Sequence, residues 1–235
     1  MSMKANDYKS GGGDFTPVDP LEPGSYPARV VAIANIGLQA QQAFKGTEKA
    51  PKHEFRVTYE LLDEFLKDED GNDDEDKPRW VSERFSINPL SSENAKSTAR
   101  YLALDPTNKH DGDWSQLLGT PLILDLVQNR SKKNPERVYS NVRTVTAMRP
   151  KDVKNAAELK NDPILFDFYE PDVKVFLALP KFIQEEIKSS LDFDGSKLAE
   201  MLEDVSEADT TKEEKKTKSK PKEEASDNED DDSEW

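Results

Sequence analysis

Cysteine is absent from the 235 residues, which excludes disulfides and thiolate metal sites and leaves the compartment open. His53 and His110 are the only histidines, and neither stands in a metal-ligand pair. No apolar run approaches the ~20 residues of a membrane-spanning helix. The opening residues also lack the charged-then-apolar order of a signal peptide, so an intracellular protein with no membrane partner is expected. Gly11-Gly12-Gly13 is not followed by Gly-Lys-Ser/Thr and no strand precedes it, so it is no phosphate loop. A serine nucleophile motif is missing too. Most carboxylates fall in runs where no catalytic geometry could be held; a metal-dependent nuclease would need carboxylates on strands, and Asp125 is a lone candidate. The expectation is a non-enzyme with no catalytic residue, no metal and no cofactor.

Charge is what the chain has in quantity. Its net value of −15 is unevenly distributed: residues 203–235 and residues 63–76 each carry −8, which leaves the rest at +1. Within that near-neutral remainder, Arg130, Lys132, Lys133, Arg137 and Arg143 face only Glu136 between Gln128 and Arg143. A locally basic body with detached acid points to a nucleic-acid partner more than the sequence pI of 4.7 does. The acid of residues 63–76 resembles a calcium loop only superficially. The spacing ending at Gly71 puts Leu66 and Lys77 where oxygen ligands are needed, so it reads as a solvated hairpin extension.

Periodicity supplies the elements. Residues 1–24 mix Gly11-Gly12-Gly13 with Pro17, Pro20 and Pro23 and read as a flexible arm. From Tyr26 to Gln39 a first strand places Ala28, Val30, Ala32, Ala34 and Ile36 on one face. Lys52 to Asp63 alternates Phe55, Val57, Tyr59 and Leu61 against Glu54, Arg56, Thr58 and Glu60, the clearest strand of the chain. A third strand, Arg79 to Asn88, turns Val81, Glu83, Phe85 and Ile87 inward and leaves Trp80 and Arg84 outside. After Asn88-Pro89, a helix capped by Ser91 or Ser92 has Ala95, Thr98, Ala99, Leu102 and Ala103 as its apolar face. Strand four, Thr120 to Gln128, carries Leu122, Leu124 and Leu126. Strand five, Arg137 to Met148, sets Val138 and Val142 against Tyr139, Asn141 and Arg143.

Three strands, a helix and two strands form the order of a five-stranded OB-fold barrel, so a mainly β protein with that barrel over residues 25–149 is expected. Residues 150–202 are too apolar for a linker. They are expected to pack on the barrel or on a second copy of the protein, which leaves a homo-oligomer open. Residues 203–235 read as a disordered acidic tail, because they lack the apolar surface to offset ordering entropy.

The chain resembles the bacteriophage single-stranded DNA-binding proteins that combine one OB fold with an acidic tail. The resemblance rests on Lys4-Ala5-Asn6-Asp7-Tyr8-Lys9-Ser10-Gly11-Gly12-Gly13-Asp14-Phe15, on Tyr26-Pro27-Ala28-Arg29-Val30, on Tyr139-Ser140-Asn141-Val142 and on a tail ending in an aromatic. It covers most of the chain. Where such tails usually end in Phe, this one has Trp235. The resemblance implies protection of single strands in replication, recombination and repair in the cytoplasm of an infected bacterium. It also implies a tail that competes for the DNA groove and recruits replication proteins.

Sequence-tolerant binding of single strands needs cations along the phosphates and flat faces for the bases. The candidates are Arg56, Trp80, Arg84, Arg130, Lys132, Lys133, Arg137, Tyr139 and Arg143, with Asp230, Asp231, Asp232, Glu234 and Trp235 as the partner-binding tail. For Trp80 and Tyr139, packing under a neighbouring segment stands as an equal alternative to stacking, and Phe55 and Tyr59 are expected in the core. Double-stranded DNA is a further ligand to consider once the tail is absent. The competing reading is an acidic protein-interaction module or DNA mimic without direct nucleic-acid binding.

Overall fold

A computed structural model of the protein describes residues 19–131 and 134–204. Three strands come first, β1 (Gly24–Phe44), β2 (Thr47–Lys67) and β3 (Asp73–Ser86), followed by helix α1 (Lys96–Leu104) and a short 3-10 helix (Trp114–Leu117). Strands β4 (Pro121–Arg130) and β5 (Val138–Ala147) follow. The remainder comprises α2 (Pro150–Val153), β6 (Ile164–Phe166), α3 (Val173–Ala178) and α4 (Lys181–Lys188), and residues 197–204 are helical. The protein is mainly β. Its sheet runs β3-β2-β1-β4-β5 with antiparallel neighbours, and β6 adds parallel to β1. Hydrogen bonding does not close this sheet, since β3 and β5 are the ends of the path. Helix α1 bridges those ends: Arg100 bonds the Glu83 carboxylate of β3 and the Arg143 carbonyl of β5.

The inner core collects Val57, Tyr59 and Leu61 of β2, Val81 and Phe85 of β3, and Leu122, Leu124 and Leu126 of β4, around the Trp114 ring. That ring lies 5.5 Å from the Tyr101 and Phe85 centroids and 6.0 Å from that of Phe55. Tyr59 is fully buried and Phe55 packs against the cluster, as expected of both.

Three local expectations are corrected. The single face assigned to Ala28 through Ile36 is split by a register shift between Val30 and Ala32. An irregularity of this kind inserts a residue and reverses the alternation, so Ala28, Val30 and Ile33 enter the inner core while Ala34 and Ile36 face outward. A shift between Asp125 and Leu126 acts likewise on β5 and places Val145 inside beside the partly buried Val142. Helix α1 is capped at Ala95 rather than by a serine, and it buries Ser97, Thr98, Arg100, Tyr101 and Leu104 while Leu102 is exposed. The sequence reading counted small and aliphatic residues. Arg100 and Tyr101 enter the interior because their polar ends find partners, Glu83 for one and Asp105 for the other.

Residues 150–202 fold back on their own chain. Phe166, Phe168, Phe176, Leu179, Ile183, Ile187 and Leu198 form a second buried cluster with Ala34 and Ile36 of β1. The Asp172 carboxylate accepts from the Lys174 and Val175 N–H groups to start α3, and Leu191 N–H donates to the Leu38 carbonyl. The outer face of β1 around Ala34 and Ile36 is thereby buried.

Gly37, with φ +78°, lies against this extension. A Cβ there would overlap Ser190 Oγ and sit 3.0 Å from Ser190 Cβ and 3.2 Å from Phe168 Cδ1. Gly46 has φ +81° but nothing within 4 Å. Both Gly→Ala variants should lose about 1–2 kcal/mol to the left-handed backbone. Gly37→Ala should lose measurably more in urea unfolding, and equal losses would show that the extension does not press on Gly37.

Candidate nucleic-acid interface

The β4–β5 hairpin carries the exposed part of the candidate site. Tyr139 is 49% exposed, and it shares the outer face of β5 with exposed Asn141 and Arg143. Arg130 and Arg137 are exposed at the hairpin's end, where Ser131 N–H donates to the Arg137 carbonyl and Arg137 N–H to that of Asn134. Lys132 and Lys133 lie between them but outside the described residues. So do Asp230, Asp231, Asp232, Glu234 and Trp235.

Arg143 is paired with Asp125 at 3.1 Å, yet its side chain is 64% exposed. Exposed pairs are worth about 0–1 kcal/mol, so a phosphate can take this guanidinium from its carboxylate. Asp125 itself is held below the usual carboxylate range by hydrogen bonds from Ser25, then Thr144 and Arg143. Among the described residues, no group of three or more His, Asp or Glu is arranged to hold a metal.

Arg56 and Arg84 are placed differently. Both stand on the face opposite the inner core, but α4 lies over them. Arg56 bonds Glu186 through Nε at 2.6 Å and through Nη2, and its side chain is only 13% exposed. Arg84 bonds Glu54, reaches Gln39 Oε1 at 3.2 Å and stands 3.5 Å from Glu186. A fork of charge-assisted bonds in a largely buried setting is not released as an exposed pair is. These two arginines therefore belong to the seam between sheet and extension. Beside Arg84 opens a polar groove of about 630 Å3, lined by Gln39, Gln41, Lys49 and Glu54.

Trp80 lies at the edge of the same seam, 36% exposed, with its indole N–H donating to Glu60 Oε2 at 3.1 Å. One face of the sequence alternatives, packing under the C-terminal segment, is thus partly realised, while ring surface remains open. Sequence reasoning missed Glu186 and Phe182, which stand one helical turn apart on α4. Their i, i+4 spacing shows that they share a face. Nothing local shows that Arg56 meets both, with its guanidinium carbon 5.2 Å from the Phe182 ring centroid.

No protein-family model matches the chain, and no curated protein matches it. No helix among the described residues is long and apolar enough to cross a membrane.

Proposed function

We propose that this protein binds single-stranded DNA, on an OB-type barrel, as a non-enzymatic coat that protects exposed strands. The observation that carries the reading is the outer face of the β4–β5 hairpin, which exposes Tyr139 and Arg143 on one side of β5, with Arg130 and Arg137 exposed toward the hairpin's end. A flat ring among cations is the arrangement that takes a base and its phosphates without reading sequence. The barrel reading is supported by the strand order and by α1 standing between β3 and β4, since an OB fold is a partly open five-stranded barrel. On this reading the protein serves phage replication, recombination and repair in the infected bacterial cytoplasm and needs no cofactor. Asp230, Asp231, Asp232 and Glu234 compete with DNA phosphates from a tether, and Trp235 anchors replication proteins.

A mobility shift with a labelled oligonucleotide in magnesium tests this. Binding without cleavage is expected, and affinity should fall steeply with salt as counterions are released. Cleavage would favour a nuclease instead. Failure to bind even after removal of residues 203–235 would leave the acidic interaction module. Lys132→Ala with Lys133→Ala should lower the magnitude of the log–log salt slope by about 1.4 if both residues contact single-strand phosphates. An unchanged slope would take that loop out of the site.

A further inference from the structure

A cleft of about 140 Å3 opens where α4 meets the sheet, lined by Trp80, Phe182, Leu179 and Ile183 together with the hydroxyl-bearing Thr58 and Ser82. Both aromatic rings are held before any ligand arrives. The Trp80 indole is bonded to Glu60, which is itself fixed by Lys160 N–H and Asn161 Nδ2, each at 2.7 Å. Phe182 lies against the Arg56 guanidinium, and Glu186 grips that group by its other edge. A ligand entering here orders little that folding has not already ordered.

The hydroxyls decide which ligand fits. Thr58 Oγ1 and Ser82 Oγ are 2.8 Å apart and share one hydrogen bond. Two hydroxyls carry two protons, so one donor and several acceptor lone pairs are left over. An aliphatic side chain would fill the apolar walls and leave that donor unmatched, and an indole, being donor only, would also leave it unmatched. The Watson–Crick edge of every base offers donor and acceptor together, on a flat body suited to aromatic walls. We infer that this cleft is a subsite for one unpaired nucleobase, built jointly by Trp80 of the barrel and Phe182 of the C-terminal extension. The inference rests on the single-strand-binding reading and adds to it a wall drawn from outside the barrel.

The test uses the full chain with a thymidine oligonucleotide carrying 5-iododeoxyuridine and an abasic deoxyribose-phosphate oligomer as control. Irradiation should give an adduct at Trp80 or Phe182. Phe182 is 50% exposed, so Phe182→Ala should fold, and it should weaken oligonucleotide binding about fivefold or more. Binding of the abasic control should not change, and Phe182→Tyr should retain affinity. Thr58→Val with Ser82→Ala should also weaken the base-bearing ligand alone. If the native chain binds neither ligand, the single-strand reading fails and the subsite with it. If the native chain binds, but the Phe182 and hydroxyl variants match it and the adduct forms elsewhere, only the subsite is overturned. The subsite is overturned as well if N-acetyltryptophanamide shifts the Trp80 and Phe182 resonances while deoxynucleoside monophosphates do not.

Discussion

Glu83→Ala is expected to lower unfolding stability by about 3–5 kcal/mol, the cost of removing one partner from a buried ion pair. Four donor atoms of three side chains, on β2 and α1, converge on that carboxylate. Tyr59 donates its hydroxyl at 2.8 Å, Arg100 its Nε at 2.8 Å and Nη2 at 3.2 Å, and Lys96 lies at 2.7 Å. Burial, followed by the neighbouring Glu83 charge, raises the Tyr59 phenol well above its ordinary value, so it stays a neutral donor. Without Glu83 the Arg100 guanidinium remains in the interior with the Arg143 carbonyl as its remaining acceptor. Such a loss is a large part of the 5–15 kcal/mol that holds a typical domain together. The paired change, Glu83→Leu with Arg100→Met, removes both charges and should recover to within about 1 kcal/mol of the native chain or exceed it. Urea unfolding of the native chain, Glu83→Leu, Arg100→Met and the paired variant gives the coupling directly. A loss below 1 kcal/mol in Glu83→Ala alone would mean that water reaches Arg100 and the bridge from β3 to β5 is not buried.

Phe176→Ala is expected to cost a similar amount, about 3–5 kcal/mol, because a fully buried phenyl group is lost and a cavity is left. Phe176 is fully buried at the centre of the outer cluster, 5.9 Å from the Phe166 centroid, with Lys188 Nζ 5.8 Å from its own ring centroid. It joins α3 to the β6 strand that pairs with β1. The loss should therefore appear as weakened attachment of the whole extension, read by chemical denaturation and by faster hydrogen exchange at Leu165 and Leu191. Leu177→Ala, one residue away but exposed, serves as the control and should change stability by no more than about 0.5 kcal/mol. Equal effects at both positions would mean that the extension does not bury Phe176 in solution.

Much of the candidate site was legible in the chain. The outward set Tyr139, Asn141 and Arg143 follows from alternation on β5, and all three are exposed. The acidic stretch does form a hairpin end, with the Asp68 carboxylate accepting from the Asp70 and Asn72 N–H groups. The inward leucines of β4 and the polar-apolar division of β2 follow from the same period of two. Local periodicity is a property of neighbouring residues, so it holds wherever no bulge interrupts the pairing, as one does in β1 between Val30 and Ala32.

What covers a face is settled elsewhere in the chain. Glu54, Thr58 and Glu60 make up the polar side of β2, and alternation alone reads that side as solvent-facing. All three are buried. Glu60 accepts from Lys160 N–H and Asn161, a hundred or more positions along the chain. Glu54 accepts from Gln41, Arg84 and Ser86, Thr58 shares a bond with Ser82, and Glu186 reaches the same face to bond Arg56. Arg56 and Arg84 thereby become partners of carboxylates, while Arg143, with the same chemistry, remains exposed. The sequence by itself determined the strand alternation, the basic hairpin and the separation of acid from body, all of which depend on spacing along the chain. Only the tertiary structure decided which cations stay open to a ligand, since that depends on which distant carboxylate reaches them first and how little water remains around the pair.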